Sequence, residues 1–348
     1  MSSEGRDALR KSASLGPRMR FLVLSRNQNL YSTSRIVLAA RARGHDVTVI
    51  DPLDLQIVVS KGRPSLLHEG NPVPRFDLVI PRIGASITNY GLAVVRQFDL
   101  MGVPVLNSAV SIARSRDKLR ALQLLNRKHI EVPTTICARS PAGVESALAL
   151  VGCPAIVKLQ QGTQGIGTMI AETPQAVHSL LETLWAMGQD IVLQEYVRES
   201  KGRDVRIFVV GGRVVAAMRR VAKKGEFRSN LHRGGKGDGV KKLPPSYRNA
   251  AIRAVKVMGL EVAGVDVLEA KKKPKILEIN SSPGLEGIER ASGVDVAGAI
   301  IEHAEKYAVA HKHISQREVD QRISNVIQDE RMPPRGSPRT NGRTRGTS

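Results

Sequence analysis

The sequence predicts an α/β domain with a parallel sheet followed by an α+β region, with a polar stretch at either end. Three observations predict it. The runs "MRFLVLS" (19–25), "SRIVLAARARG" (34–44) and "HDVTVID" (45–51) read as strand, helix and strand, a βαβ unit. From about residue 151 the pattern changes to strands joined by short loops, including "DVRIFVV-GG-RVVAAMRR" (204–220), a hairpin with a Gly-Gly turn. No apolar run reaches membrane-spanning length.

The elements follow in order. Residues 1–18 are small and polar and read as a disordered leader, so Met19 is a candidate functional start. After the βαβ unit, "FDLVIPRIG" and "GVPVLNS" predict further short strands, which sets a small α/β domain at 19–112. No GxGxxG follows its first strand, so it is not read as dinucleotide-binding. "SRDKLRALQLLNRKHI" (115–130) predicts one helix with a stripe of Leu119, Leu122 and Leu125. "PAIVKLQ", "TMIAE" and "DIVLQEYV" predict strands, with the loop "QGTQGIG" between the first two. A basic loop, "KKGEFRSNLHRGGKGDG", precedes a helix near 246–259. Residues 312–348 read as a basic flexible tail.

The last hairpin carries the sharpest signal. In "VAGVDVLEA" and "KILEINSSPG", apolar and polar residues alternate with the strand period of two. A turn at "KKKP" centred on Lys272 places Asp266 opposite Glu278. Leu277 and Ile279 are expected to face a core, and Glu278 and Asn280 the other side. Two carboxylates facing across a hairpin repel. With Asn280 they make an oxygen-rich set suited to a hard cation such as Mg²⁺. The alternative is a solvated strand face.

Charge narrows the partners. Net charge is +21; residues 312–348 hold +4 and residues 1–18 hold +2, so the stretch between carries +15. Such a surface suits nucleic acid, an anionic membrane or an acidic protein. Aromatic residues are only 3% of the chain, which leaves few stacking platforms and argues against direct nucleic-acid binding. Cys137 and Cys153 form no CxxC and there is no His cluster, which argues against a disulfide framework or structural zinc. With no secretory signal pattern, the protein is expected to be cytoplasmic, with no membrane partner.

Several residues can carry chemistry. Gly162, Gly165 and Gly167 form a loop between strands that lacks GK[ST]; its amides can fold over phosphates, and a plain flexible hairpin is the alternative. Lys158, four residues earlier, can reach phosphate oxygens or lie on the surface. Glu195 and Tyr196 end an apolar strand whose backbone and carboxylate can meet an adenine edge or ribose. Asp204 can hold a ribose hydroxyl, or pair with Arg206 at the surface. Arg220, Arg228 and Asn230 lie on or beside the basic loop, where arginines can neutralise a transferring phosphoryl group. His232 is isolated and is expected to be structural. No nucleophile or general base stands out. Phosphoryl transfer to a carboxylate needs little beyond positioning and charge neutralisation.

The series Lys158, "GTQGIG", "QEY", "GRDVR", "FRSNLHRGG", "AGVDVLEA" and "ILEINSSPGLEGIE" resembles the ATP-grasp ligases. With "LYSTSR", "VIPRIG", "YG…RQFD" and "ARSRDKLR" it looks like the RimK family over roughly residues 19–305. That family adds glutamate to the C-terminus of the sixth small-subunit ribosomal protein. The resemblance implies a pre-ATP-grasp domain at 19–112 and ATP-grasp subdomains at 113–197 and 198–311. It implies that Lys118 binds the nucleotide and that Lys158, Gly162, Gly165 and Gly167 serve the ATP phosphates. It also implies that Glu195, Tyr196 and Asp204 serve adenine and ribose, and that Arg228, Ser229 and Asn230 form a further nucleotide-contacting segment. Asp266, Glu278 and Asn280 become the ligands of two ions, Mg²⁺ or Mn²⁺, with Glu278 bridging. The metal is then the counter-charge of the facing carboxylates. Arg220, Arg228 and Asn280 are the candidate catalytic groups.

The chemistry implied is an acyl phosphate formed from ATP and opened by the amine of L-glutamate, giving an amide, ADP and phosphate. The acceptor implied is the acidic C-terminal tail of a ribosomal protein, and the assembly a homotetramer. The basic runs "AAMRRVAKKGEF", "KGDGVKKL" and "KKKPK" suit an increasingly anionic tail. A ligase for a small molecule or carrier protein would share every ATP and metal residue, so those residues do not separate the two. A non-catalytic nucleic-acid binder is the reading from another class, and the ordered carboxylate face speaks against it.

Overall fold

The computed structural model describes residues 17–60, 62–140, 143–159, 167–223, 226 and 235–311. The expected tail and all but residues 17 and 18 of the expected leader lie outside these. Residue 18 already belongs to the fold, because Arg18 donates to both carboxylate oxygens of Asp46.

The first strands are β1 (Arg20–Leu24), α1 (Tyr31–Ala42) and β2 (Asp46–Ile50), followed by β3 (Leu55–Val58), β4 (Ser65–His68), β5 (Asn71–Pro72) and β6 (Leu78–Pro81). The predicted parallel sheet has the order β2-β1-β6, and β3, β4 and β5 form a small antiparallel sheet the sequence did not announce. "GVPVLNS" contributes only one parallel bridge, Val105 to Val79, rather than a strand. Pro104 has no N–H to give, and Asn107 turns the chain away with φ 77°.

The helix expected over 115–130 is two helices. After α2 (Thr88–Leu100) come α3 (Ala109–Arg116) and α4 (Lys118–Arg127). Between them Asp117 is extended, and its carboxylate accepts from the Arg120 amide at 3.0 Å. The N-cap preference of Asp outweighs the continuous apolar stripe.

β7 (Thr135–Ala138), α5 (Val144–Val151), β8 (Ala155–Leu159), β9 (Thr168–Ala171), α6 (Pro174–Ala186) and β10 (Ile191–Glu195) follow. Their antiparallel sheet has the order β7-β10-β8-β9 and buries Val157, Leu193 and Ala171 against Leu148 and Leu181 of the two helices.

The last part comprises β11 (Arg203–Val210), β12 (Arg213–Val221), β13 (Lys236–Gly239), α7 (Pro245–Met258), β14 (Val262–Leu268), β15 (Lys275–Asn280), α8 (Glu286–Ser292) and α9 (Val296–His311). Its five strands are antiparallel in the order β13-β12-β11-β14-β15. Gly211 and Gly212, at φ 54° and 71°, make the predicted two-residue turn.

β11 shows how the sheet positions the site. Val205, Ile207 and Val209 face α7. On the opposite face Phe208 and Val210 are apolar, and Asp204 and Arg206 are charged. The same face therefore changes from core to polar along the strand. Phe208 and Met218 share one apolar cluster with Phe21 and Val23 of β1, Ile36 of α1 and Ile300 and Ile301 of α9. That shared core ties the parallel-sheet domain to the five-stranded sheet. Among the described residues no helix is long and apolar enough to cross a membrane.

Candidate active site

A cleft of about 650 Å³ is lined by the four-stranded and the five-stranded antiparallel sheets, by α3 and α4, and by residues 83–85. This size is ordinary for a small-ligand site. Lys118, Lys158, Glu195, Tyr196, Asp204 and Arg220 all line it, as do Asp266, Glu278 and Asn280. Gly162, Gly165, Arg228, Ser229, Asn230 and His232 lie outside the described residues. Gly167 is described, with φ 74°, and its carbonyl accepts from the Leu159 amide at 3.0 Å.

The carboxylate hairpin has the expected register: Asp266 pairs with Glu278. Directly beyond Asp266 the register shifts, and Val267 pairs with Ile276. The bulge falls on Leu277, so Ile276 and Ile279 take the core positions and Leu277 lines the cleft. The expectation that Leu277 faces the core is corrected by that one extra residue. Leu119 and Leu122 also line the cleft, and only Leu125 of their stripe is buried.

Asp266 has counter-charges of its own, which corrects the view that a metal alone supplies them. Arg206 donates Nε to Oδ1 and Nη2 to Oδ2, both at 2.7 Å. Arg220 donates Nη2 to Oδ2, also at 2.7 Å. Burial pushes the Asp266 carboxyl up, and the two guanidinium groups outweigh it and hold it at about 2. Arg220 also grips Asp204, with Nε to Oδ1 at 2.6 Å and Nη2 to Oδ2 at 2.8 Å. Asp204 is only 2% exposed, so the surface-pair alternative for it fails. Arg220 lies within β12, not on the loop, and burial opposes its charge while Asp266 and Asp204 raise its pKa overall. Its Nη1 hydrogens remain for a ligand among the described residues.

A hard cation fits this donor set. A carboxylate has about four lone-pair positions, and the arginines take three on Asp266, leaving one on Oδ1. Glu278 makes no hydrogen bond or ion pair among the described residues and is exposed to the cleft. Asn280 Oδ1 accepts from the Ser282 amide at 2.9 Å and keeps one lone pair. Asp266, Glu278 and Asn280 would hold the ion.

Lys158 is half-buried and donates to Gln194 Oε1 at 2.6 Å, while Gln194 donates to Thr135 Oγ1 at 2.8 Å. Burial lowers Lys158 to about 8, Lys118 adds to the shift, and Glu278 opposes it. The Glu195 carboxylate is already engaged: Lys275 Nζ reaches both its oxygens at 2.6 Å, and the Thr134 amide donates at 2.9 Å. Burial pushes Glu195 up, and these partners bring it down overall. The strand end at 195–197 thus offers its backbone rather than that carboxylate.

Sequence reasoning missed Gln194, Lys275 and Asn107, and it took Arg206 for a surface partner of Asp204 where it binds Asp266. A polar Gln within "IVLQE" was a visible signal. Asn107 is buried; its amide donates to the carbonyls of Val262 and Ser281, and its oxygen accepts from the amides of Glu261 and Val262. It therefore pins the segment after Asn280 to β14. Gly264 lets that segment lie close, since a Cβ there would sit 2.8 Å from Cβ of Pro283.

The chain is similar to known proteins over most of its length. The family model of the RimK-like ATP-grasp domain matches residues 115–304, and that of the RimK PreATP-grasp domain residues 19–112. A probable alpha-L-glutamate ligase 1 of Shewanella frigidimarina (strain NCIMB 400) is 53% identical over 289 residues, 83% of this chain and 96% of that protein. A probable alpha-L-glutamate ligase of Azotobacter vinelandii (strain DJ) is 54% identical over 291 residues, with the same coverages of 83% and 96%. The solved ATP-grasp ligase PsnB, complexed with minimal precursor, Mg and ADP, superposes with a TM-score of 0.65 at 21% identity. That match covers 83% of this chain and 98% of PsnB, and at this identity it speaks for the fold.

Proposed function

The chain belongs to the RimK-like ATP-grasp family and is an ATP-dependent carboxylate–amine ligase, and from that premise we propose that it adds L-glutamate to the C-terminal glutamate of an acidic protein tail, that of the sixth small-subunit ribosomal protein. The observation that carries this reading is the cleft, where the cations Lys118, Lys158 and Arg220 face the oxygen donors Asp266, Glu278 and Asn280. The folded part is strongly basic as well, which favours an anionic protein acceptor.

In this reading ATP lies along the cleft. Lys118 and Lys158 hold its phosphates, together with Gly162, Gly165 and Gly167. The strand end at Glu195 and Tyr196 meets adenine, Asp204 lies on the ribose side, and Arg228, Ser229 and Asn230 complete the nucleotide site. Mg²⁺ or Mn²⁺, held by Asp266, Glu278 and Asn280, supplies positive charge to the phosphate oxygens when bound. The acceptor carboxylate attacks the γ-phosphorus, the bond to the β–γ bridging oxygen breaks, and ADP leaves. The glutamate amine then attacks the acyl carbon, phosphate departs with the C–O bond pair, and the nitrogen sheds its proton. Arg220 and Arg228 face the charge that develops in the first step.

Mass spectrometry of ribosomal proteins incubated with the enzyme, ATP, Mg²⁺ and glutamate tests this. Stepwise addition of glutamate residues to one protein is expected. ATP turnover with glutamate and no modified ribosomal protein would move the acceptor to a small molecule or carrier protein.

A further inference from the structure

Two motifs hold arginines that the proposed chemistry leaves unused: Arg82 in "VIPRIG" and Arg116 in "ARSRDKLR". Arg116 ends α3 and lines the cleft beside Ile83 and Gly84. Its Nη2 donates to the Ile83 carbonyl, and its Nη1 to Thr88 Oγ1 at 3.4 Å. Arg82 donates Nη2 to the Pro283 carbonyl at 2.7 Å. Neither guanidinium bonds a carboxylate among the described residues. Burial pushes Arg82 down to about 10, and the charge of Arg116 adds to that shift. Both are half-buried, and a cation drawn partly out of water without a hydrogen-bonded acid favours an anionic ligand.

The segment that Arg82 grips supplies the second observation. Ser281 is 4% exposed, and the hydroxyls of Ser281 and Ser282 are buried without any hydrogen-bond partner among the described residues. Both residues line the same cleft. A buried hydroxyl with no partner is costly. Here two occur where residues 281–283 meet the loop at 82–84.

We propose that Arg116 and the hydroxyls of Ser281 and Ser282, with Arg82 holding the segment behind them through Pro283, receive a non-reacting carboxylate of an amino-acid substrate. The inference rests on the glutamate-ligase reading for what brings that carboxylate. The reacting carboxylate must stay nucleophilic, and a guanidinium gripping it would draw off the charge it needs. Joining one glutamate to another leaves spectators on both sides. The incoming glutamate keeps two carboxylates, and the acceptor's terminal residue keeps its side-chain carboxylate. Arg116 also lies within electrostatic range of Glu278, so the spectator would be anchored next to the reacting centre, where anchoring orients the substrate.

The test uses the full chain with Mg²⁺ and a non-hydrolysable ATP analogue. Calorimetry measures binding of free glutamate and of a short oligoglutamate peptide to wild type, Arg116→Met, Arg116→Lys and Arg82→Met. Arg116→Met is expected to weaken one of the two ligands about 10- to 100-fold, the loss typical of a charged hydrogen-bond partner. Lysine should restore part of that, and nucleotide affinity should stay within about twofold. Weakening of free glutamate makes the subsite that of the incoming amino acid; weakening of the peptide makes it that of the acceptor. Unchanged binding of both, or loss confined to the nucleotide, overturns the proposal. Should Arg116→Met melt early, Ser282→Val blocks the same corner and is read the same way. Amide formation by wild type is scored separately: carboxylate binding without product would reject the ligase reading and leave the subsite standing.

Discussion

Arg220 Nη2 lies 2.7 Å from Asp266 Oδ2 and 2.8 Å from Asp204 Oδ2, so one guanidinium joins two buried carboxylates on adjoining strands of the sheet. This makes the proposed metal ligands unequal. Asp266 is part of the fold's own charge balance, while Glu278 is not.

Asp266→Asn is therefore expected to destabilise the protein by about 3–5 kcal/mol, because it strands the charges of Arg206 and Arg220. Glu278→Gln should change stability by less than about 0.5 kcal/mol yet abolish Mg²⁺-dependent product formation. Urea denaturation and a ligase assay read the two effects. Equal stability loss in both variants would reject the asymmetry. The same balance predicts acid sensitivity. With Asp266 held at about 2 against an ordinary 3.8, its contribution is full above pH 3.8 and is lost as pH falls towards 2.

Lys158 titrates at about 8 against an ordinary 10.5, because burial disfavours its charge. As pH rises through 8 the ammonium loses its proton, and with it the attraction for phosphate. The ATP dissociation constant measured without acceptor should rise over that range. Lys158→Arg, which stays charged, should flatten the profile. A wild-type profile already flat from pH 7 to 9 would remove Lys158 from the phosphate site.

Lys223, Lys241 and Lys242 are exposed, so their pull on an acidic tail is screened over about 8–10 Å at ordinary ionic strength. Raising salt should raise the KM for an acidic protein acceptor, more steeply when it already carries added glutamates. Replacing the three lysines by serine should do the same, with little change in KM for ATP. Equal salt sensitivity for both substrates would favour a small acceptor.

Asn107→Ala removes four hydrogen bonds at a buried position and leaves backbone groups of residues 261, 262 and 281 short of partners. A loss of about 2–4 kcal/mol is expected. Product formation should fall further than ATP affinity, since the segment after Asn280 loses its anchor. Unchanged turnover with lowered stability would confine Asn107 to a folding role.

The sequence by itself determined what local periodicity and turn chemistry can carry. The βαβ order, the Gly211–Gly212 turn and the pairing of Asp266 with Glu278 all follow from alternation and from counting residues about a turn. Only the tertiary structure decided which charges meet. Asp266 receives Arg206 from β11 and Arg220 from β12 because the sheet order sets β14 beside β11. Lys275 closes on Glu195 from another sheet, and Arg82 reaches Pro283 across 201 residues. The bulge at Leu277 and the helix break at Asp117 were likewise decided by packing and capping against the simple period. Hydrophobic alternation is a property of one strand, readable along a line, whereas an ion pair depends on which strands adjoin and in what register, and that is settled only when the core closes.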